Sequence, residues 1–166
     1  ASLVGSEMCI RDRLAAGVPC QNSGTCAHHS KDELTCMGQQ GGIPMEEMDQ
    51  YIQDVLDLIE YANGDARKTV WGKKRAEAGH PKPFNLKFIG IGNEDMITPV
   101  FVERFKMIFD AVKAKYPEVT VIGTTGPFYE GTDYEVGWDL ATELGVPMVD
   151  EHYYVCLLYT SPSPRD

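Results

Sequence analysis

Leu86-Lys87-Phe88-Ile89-Gly90-Ile91-Gly92-Asn93-Glu94 decides the architecture: an apolar run rich in Ile and Phe passes without a break into glycine, an amide and a carboxylate. The run from Leu86 to Ile91 reads as a strand, and Gly92-Asn93-Glu94 reads as its polar end. Downstream, Pro99 to Lys115 has Phe101, Phe105, Ile108 and Val112 on one helical stripe, with Lys113 and Lys115 near its negative end. Val119 to Gly123 is the next strand. Tyr134 to Leu144 is a helix closed by Gly145, and Val146 to His152 is a further strand. Upstream, Pro44 opens a helix on which Ile52, Val55, Leu56 and Ile59 recur at helical spacing until Gly64. Trp71 to His80 is a short helical turn, and Pro81 and Pro83 hold the chain extended. Leu14 to Val18 reads as the last residues of one more buried strand.

Strands and helices in alternation imply parallel strands joined by crossover helices. The pattern fits an open doubly wound sheet or part of a (β/α)8 barrel, and does not choose between them. In both, ligands bind at the C-terminal ends of the strands. Three such ends carry polar residues. Asn93-Glu94 places a carboxylate at the mouth, although the pair would equally suit the cap of the following helix. The lone Gly90-Ile91-Gly92 is no dinucleotide fingerprint, since the third glycine is missing and acids stand where phosphate would bind. Asp150-Glu151-His152-Tyr153-Tyr154 offers acid, imidazole and aromatic groups suited to a sugar, with His152 and Tyr154 on one side if the strand alternates through them. Thr124-Thr125-Gly126-Pro127 is turn-like and weakly informative.

The chain has 166 residues and a net charge of −10, which argues against nucleic acid and acidic membrane surfaces as partners and favours a neutral polar substrate. No apolar stretch approaches the roughly 20 residues that cross a bilayer. From Pro19 to Ile43 the composition is that of a long loop, holding Cys20, Cys26, His28, His29 and Cys36. The spacing is poor for structural zinc, so no metal is expected, and loose thiols or one disulfide fit better. The role and redox state of the three cysteines stay open.

The ends break the pattern. Met8 to Asp12 can be encoded by a string lying within the reverse complement of one encoding Cys156 to Ser161, as in a translated sequencing adaptor. Residues 14–155 are therefore expected to be the natural sequence, and 1–13 and 156–166 non-native. With the N-terminus in doubt, localisation is undetermined.

Asp57 to Gly64, Trp71-Gly72, Arg75-Ala76, Gly79-His80-Pro81, Pro83-Phe84, Leu86 to Glu94 and Asp150 to Tyr154, in this order, resemble the α-L-arabinofuranosidases of glycoside hydrolase family 51. The resemblance implies a partial (β/α)8 TIM barrel, about strands 3 to 6. It implies retaining hydrolysis of terminal arabinofuranosyl residues from arabinan- or arabinoxylan-type polysaccharides, with no metal or organic cofactor. It makes Glu94 the general acid and base and Asn93, His152 and Tyr154 substrate contacts. Retaining enzymes need two carboxyl groups about 5 Å apart. Position alone would nominate Glu151 or Asp150 as the second, but the family's nucleophile is a Glu on a seventh strand, not in this chain. The chain by itself is thus expected to be inactive, and an oligomer is possible for a full-length parent. The alternative is a non-catalytic α/β module binding sugars or nucleotides on an open sheet; a metal-binding domain built on the cysteine loop is a third reading.

Overall fold

The computed structural model describes residues 13–16 and 43–153. Among them, four strands form one parallel sheet in the order β1-β2-β3-β4: β1 (Arg13–Ala16), β2 (Phe88–Ile91), β3 (Thr120–Thr124) and β4 (Met148–Asp150). Phe88 pairs with Arg13 on one side and Thr120 on the other, and Thr124 pairs with Asp150. Arg13 lies within β1, one residue ahead of the expected boundary at residue 14.

The helices are α1 (Met48–Asn63), entered through a 3-10 turn (Met45–Glu47), α2 (Val70–Glu77), α3 (Pro99–Lys115) and α4 (Thr132–Leu144). Periodicity locates them well. α3 has the expected bounds and buries Phe101, Phe105, Ile108 and Val112, while α1 buries Val55, Leu56 and Ile59. These side chains pack on Ile89 and Ile91 of β2 and Val121 of β3 to make the core. Strand bounds differ more. β2 starts at Phe88 rather than Leu86, because Leu86 is bound elsewhere: Asn63 accepts its N–H at 2.7 Å and donates to its carbonyl at 2.8 Å. β4 is only Met148–Asp150, so His152 lies beyond the strand.

Glycine is required where α4 meets the sheet. A Cβ at Gly137 would stand 2.7 Å from Thr125 Cα, so the helix backbone rests against the end of β3. No helix among the described residues is long and apolar enough to cross a membrane.

Candidate active site

At the end of β2 the chain turns through Gly92 at φ +83°, and a Cβ there would press on Thr124 Cγ2 at 2.8 Å and Asp95 Oδ2 at 3.0 Å. The turn is then locked on both sides. Buried Asp95 accepts the Asn93 N–H at 2.9 Å, and the Thr124 hydroxyl donates to the Asn93 carbonyl. This presents the exposed Asn93 and the partly buried Glu94 at the strand mouth. Neither caps the next helix. Thr98 does that, accepting the Phe101 N–H on Oγ1 at 3.2 Å ahead of Pro99. The capping alternative for Asn93-Glu94 is therefore removed by the local geometry.

Across β3, the carbonyl of Asp150 is held by Thr125 twice, from its N–H at 3.2 Å and its hydroxyl at 3.0 Å. Two residues further on, His152 Nδ1 lies 2.9 Å from Glu94 Oε1, joining positions 58 apart in sequence. Its Nε2 lies 3.6 Å from Asp150 Oδ2. Side-chain exposure is 22% for His152 and 17% for Glu94, so the pair is sheltered yet reachable from solvent. Because β4 ends at Asp150, side-chain alternation does not place His152; the contact with Glu94 does. Tyr154 lies outside the described residues, as do Cys20, Cys26, His28, His29 and Cys36. Among the described residues no group of three His, Cys, Asp or Glu is arranged to hold a metal ion.

Glu151 turns to α4 instead. It accepts from the Tyr134 hydroxyl at 2.9 Å, the Trp138 indole N–H at 3.0 Å and the Tyr153 hydroxyl. The bonds from Tyr153 and then Tyr134, with a smaller one from Trp138, hold its carboxyl below the usual range, against a small opposing effect of burial. The same bonds push the Tyr134 and Tyr153 hydroxyls up. Tyr153 stacks on Tyr129 with ring centroids 5.5 Å apart. A second group ordered near the mouth is Asp133, which accepts the Ile97 N–H at 2.6 Å. Burial pushes its carboxyl up, and that hydrogen bond opposes the shift.

Thr124 and Thr125 are the residues whose importance the sequence understates. Both are buried, and their hydroxyls tie the mouth of β2 to that of β4 through β3. Their signal was present as two hydroxyls ahead of a glycine at a strand end, but nothing local names their partners at positions 93 and 150.

A carboxyl group and an imidazole in contact at the C-terminal ends of parallel strands place this chain among α/β proteins with a polar strand mouth, the position where such folds bind their ligands. The chain belongs to the alpha-L-arabinofuranosidase family: residues 24–157 match the Alpha-L-arabinofuranosidase 1 domain. It is 46% identical over 122 residues to an extracellular exo-alpha-L-arabinofuranosidase of Streptomyces chartreusis, covering 73% of this chain and 15% of that protein. It is 39% identical over 88 residues to alpha-L-arabinofuranosidase 1 of Arabidopsis thaliana, covering 51% and 13%. The chain thus spans a small part of the length of these relatives. A family 51 alpha-L-arabinofuranosidase from Bifidobacterium longum shares the fold over 68% of this chain and 25% of that one, with TM-score 0.53 and 21% identity.

Proposed function

We propose that the chain is part of the catalytic domain of a retaining α-L-arabinofuranosidase that releases terminal arabinofuranosyl residues from arabinan- or arabinoxylan-type polysaccharides. The observation that carries this reading is the 2.9 Å contact between Glu94 and His152 at the strand mouth. Glu94 is the general acid that protonates the leaving oxygen and then the base that takes a proton from water. Asn93, His152 and Tyr154 bind the sugar. The engagement of Glu151 with Tyr134 and Trp138 of α4 and with Tyr153 supports a nucleophile from outside this chain.

The sheet is read as an arc of a (β/α)8 barrel. Four neighbouring strands in strict sequence order, each joined by a helical crossover, support it, because right-handed crossovers in one direction put every helix on the same face. A doubly wound sheet reverses direction at a switch point and carries helices on both faces. Residues 14–155 are the domain's own sequence in this reading, with 1–13 and 156–166 foreign to it, and the chain alone is inactive.

Two measurements test the function. In the enzyme encoded by the uninterrupted gene, Glu94→Ala is expected to slow release of arabinose from a natural arabinoside by about 10²–10⁴-fold. An activated aryl arabinofuranoside, whose leaving group needs no proton, should lose much less in its first step. Equal losses on both substrates would remove Glu94 from the acid role. Turnover by the purified 166-residue chain that disappears in Glu94→Gln would overturn the inactivity and reopen Glu151 as nucleophile.

A further inference from the structure

Three large aromatic rings stay in solvent at the C-terminal side of the sheet. Tyr129, in the loop after β3, Trp138 of α4 and Tyr153, past β4, are 40%, 39% and 57% exposed. Exposed side chains ordinarily change rotamer freely, but these are pinned. Tyr153 is held at both ends: its ring lies on that of Tyr129, with centroids 5.5 Å apart and planes within 8°, and its hydroxyl donates to Glu151 Oε2. Glu151 Oε1 takes the Tyr134 hydroxyl at 2.9 Å and the Trp138 indole N–H at 3.0 Å, from a pair four residues apart on α4. Parallel rings at this separation form an offset stack, which covers the inner face of each ring and leaves the outer face open. A ring fixed before its ligand arrives loses little freedom on binding. A carboxylate has about four lone-pair sites, and these donors fill three of them, so Oε2 can still accept a hydroxyl.

We propose that the Tyr129–Tyr153 stack, with Glu151 beside it, is a subsite for a neutral sugar ring of the polysaccharide chain that carries the arabinofuranosyl group, on the leaving-group side of Glu94. The inference rests on the reading of the chain as part of an arabinofuranosidase. A flat apolar face beside a hydroxyl acceptor matches a sugar, which is apolar on its C–H face and polar at its edge. Tyr153 follows His152 directly, so the stack begins one Cα step, about 3.8 Å, from the residue that touches Glu94. Charge selects among sugars. Hydrogen bonds from Tyr153 and then Tyr134 hold the Glu151 carboxyl below its usual range, so at neutral pH it is ionised and a uronic acid on the stack would meet a like charge.

The test is a titration of the 166-residue chain followed by ¹H–¹⁵N NMR at its two indole N–H groups, with Trp71→Phe to assign them. Xylopentaose and arabinopentaose are the neutral ligands, and pentagalacturonate is the acidic one. At least one neutral ligand is expected to shift Trp138 saturably while Trp71 stays still, and the tighter of the two names the backbone. Tyr129→Ala should weaken that binding about three- to ten-fold. Pentagalacturonate should bind more weakly than the tighter neutral ligand, and Glu151→Gln should narrow the gap. A Trp138 signal that ignores both neutral ligands, equal affinity for pentagalacturonate, or unchanged affinity in a folded Tyr129→Ala overturns the proposal. So does a Trp138 shift that follows protein concentration without sugar, which would make the rings a contact between copies. If Tyr129→Ala does not fold, the native titration decides alone. Binding is read without turnover, so an inactive parent enzyme with a shifting Trp138 would sink the reading of Glu94 and leave the sugar-binding face standing.

Discussion

Arg75 shows how much a single buried side chain can organise. It is fully buried, and its guanidinium donates to the carbonyls of Tyr61, Ala62, Gly64, His80 and Pro81 at 2.7–3.4 Å. Three of these lie at the C-terminal end of α1 or just past it, where backbone carbonyls lack partners and the helix dipole is negative. Among the described residues the positive charge is therefore stabilised by carbonyls rather than by a carboxylate. Arg75→Met is expected to cost on the order of 3 kcal/mol or more, read from the urea midpoint, because several carbonyls lose a charged donor at once. Arg75→Lys should not restore it, since one ammonium cannot reproduce the planar fork. The sequence showed Arg75 only as one residue in an ordered series, and its acceptors up to 14 positions away could not be read there. The same holds for Thr125 and Asp150. By contrast Glu94 was legible, because its place depends on the strand immediately before it.

At the scale of elements, α3 was legible to the residue because its signals are all local: Pro99 at the first position, a single apolar stripe, and lysines at the end. Its cap settles a question that spacing left open. Thr98→Ala is expected to lower stability by about 1 kcal/mol, whereas Glu94→Gln should leave the melting temperature of the chain within a degree or so. A Glu94→Gln loss matching that of Thr98→Ala would return Glu94 to a structural role. Strand ends were read less well. Val146 to His152 looked like one strand, but the ladder with β3 stops at Asp150, and hydrogen-bond partners on a neighbouring strand decide where a strand ends. Periodicity within one segment carries no such information.

For the molecule as a whole, the alternation of strands and helices was readable, but the choice of sheet was not, since strand order is a property of all four strands together. Global stability also carries a titration that spacing conceals. The Tyr116 hydroxyl at the end of α3 is pushed up to about 12, first by burial and then by the charges of Glu60, Asp57 and Glu118. Its unfolded value is about 10. The folded chain thus holds this proton more tightly, and the associated stability is complete below about pH 10 and is lost as pH rises through about 12. Denaturation midpoints measured across that window should fall, and Tyr116→Phe should flatten the fall. An unchanged slope would assign the loss to other groups.

The grip of Thr125 on Asp150 has a use beyond holding the mouth together. Its amide hydrogen is fully buried and bonded to the neighbouring strand rather than to its own. It can exchange with deuterium only when β3 and β4 part, so its exchange rate is a clock for the opening of the site. That single resonance separates variants that injure the chemistry from those that merely let the two strands come apart.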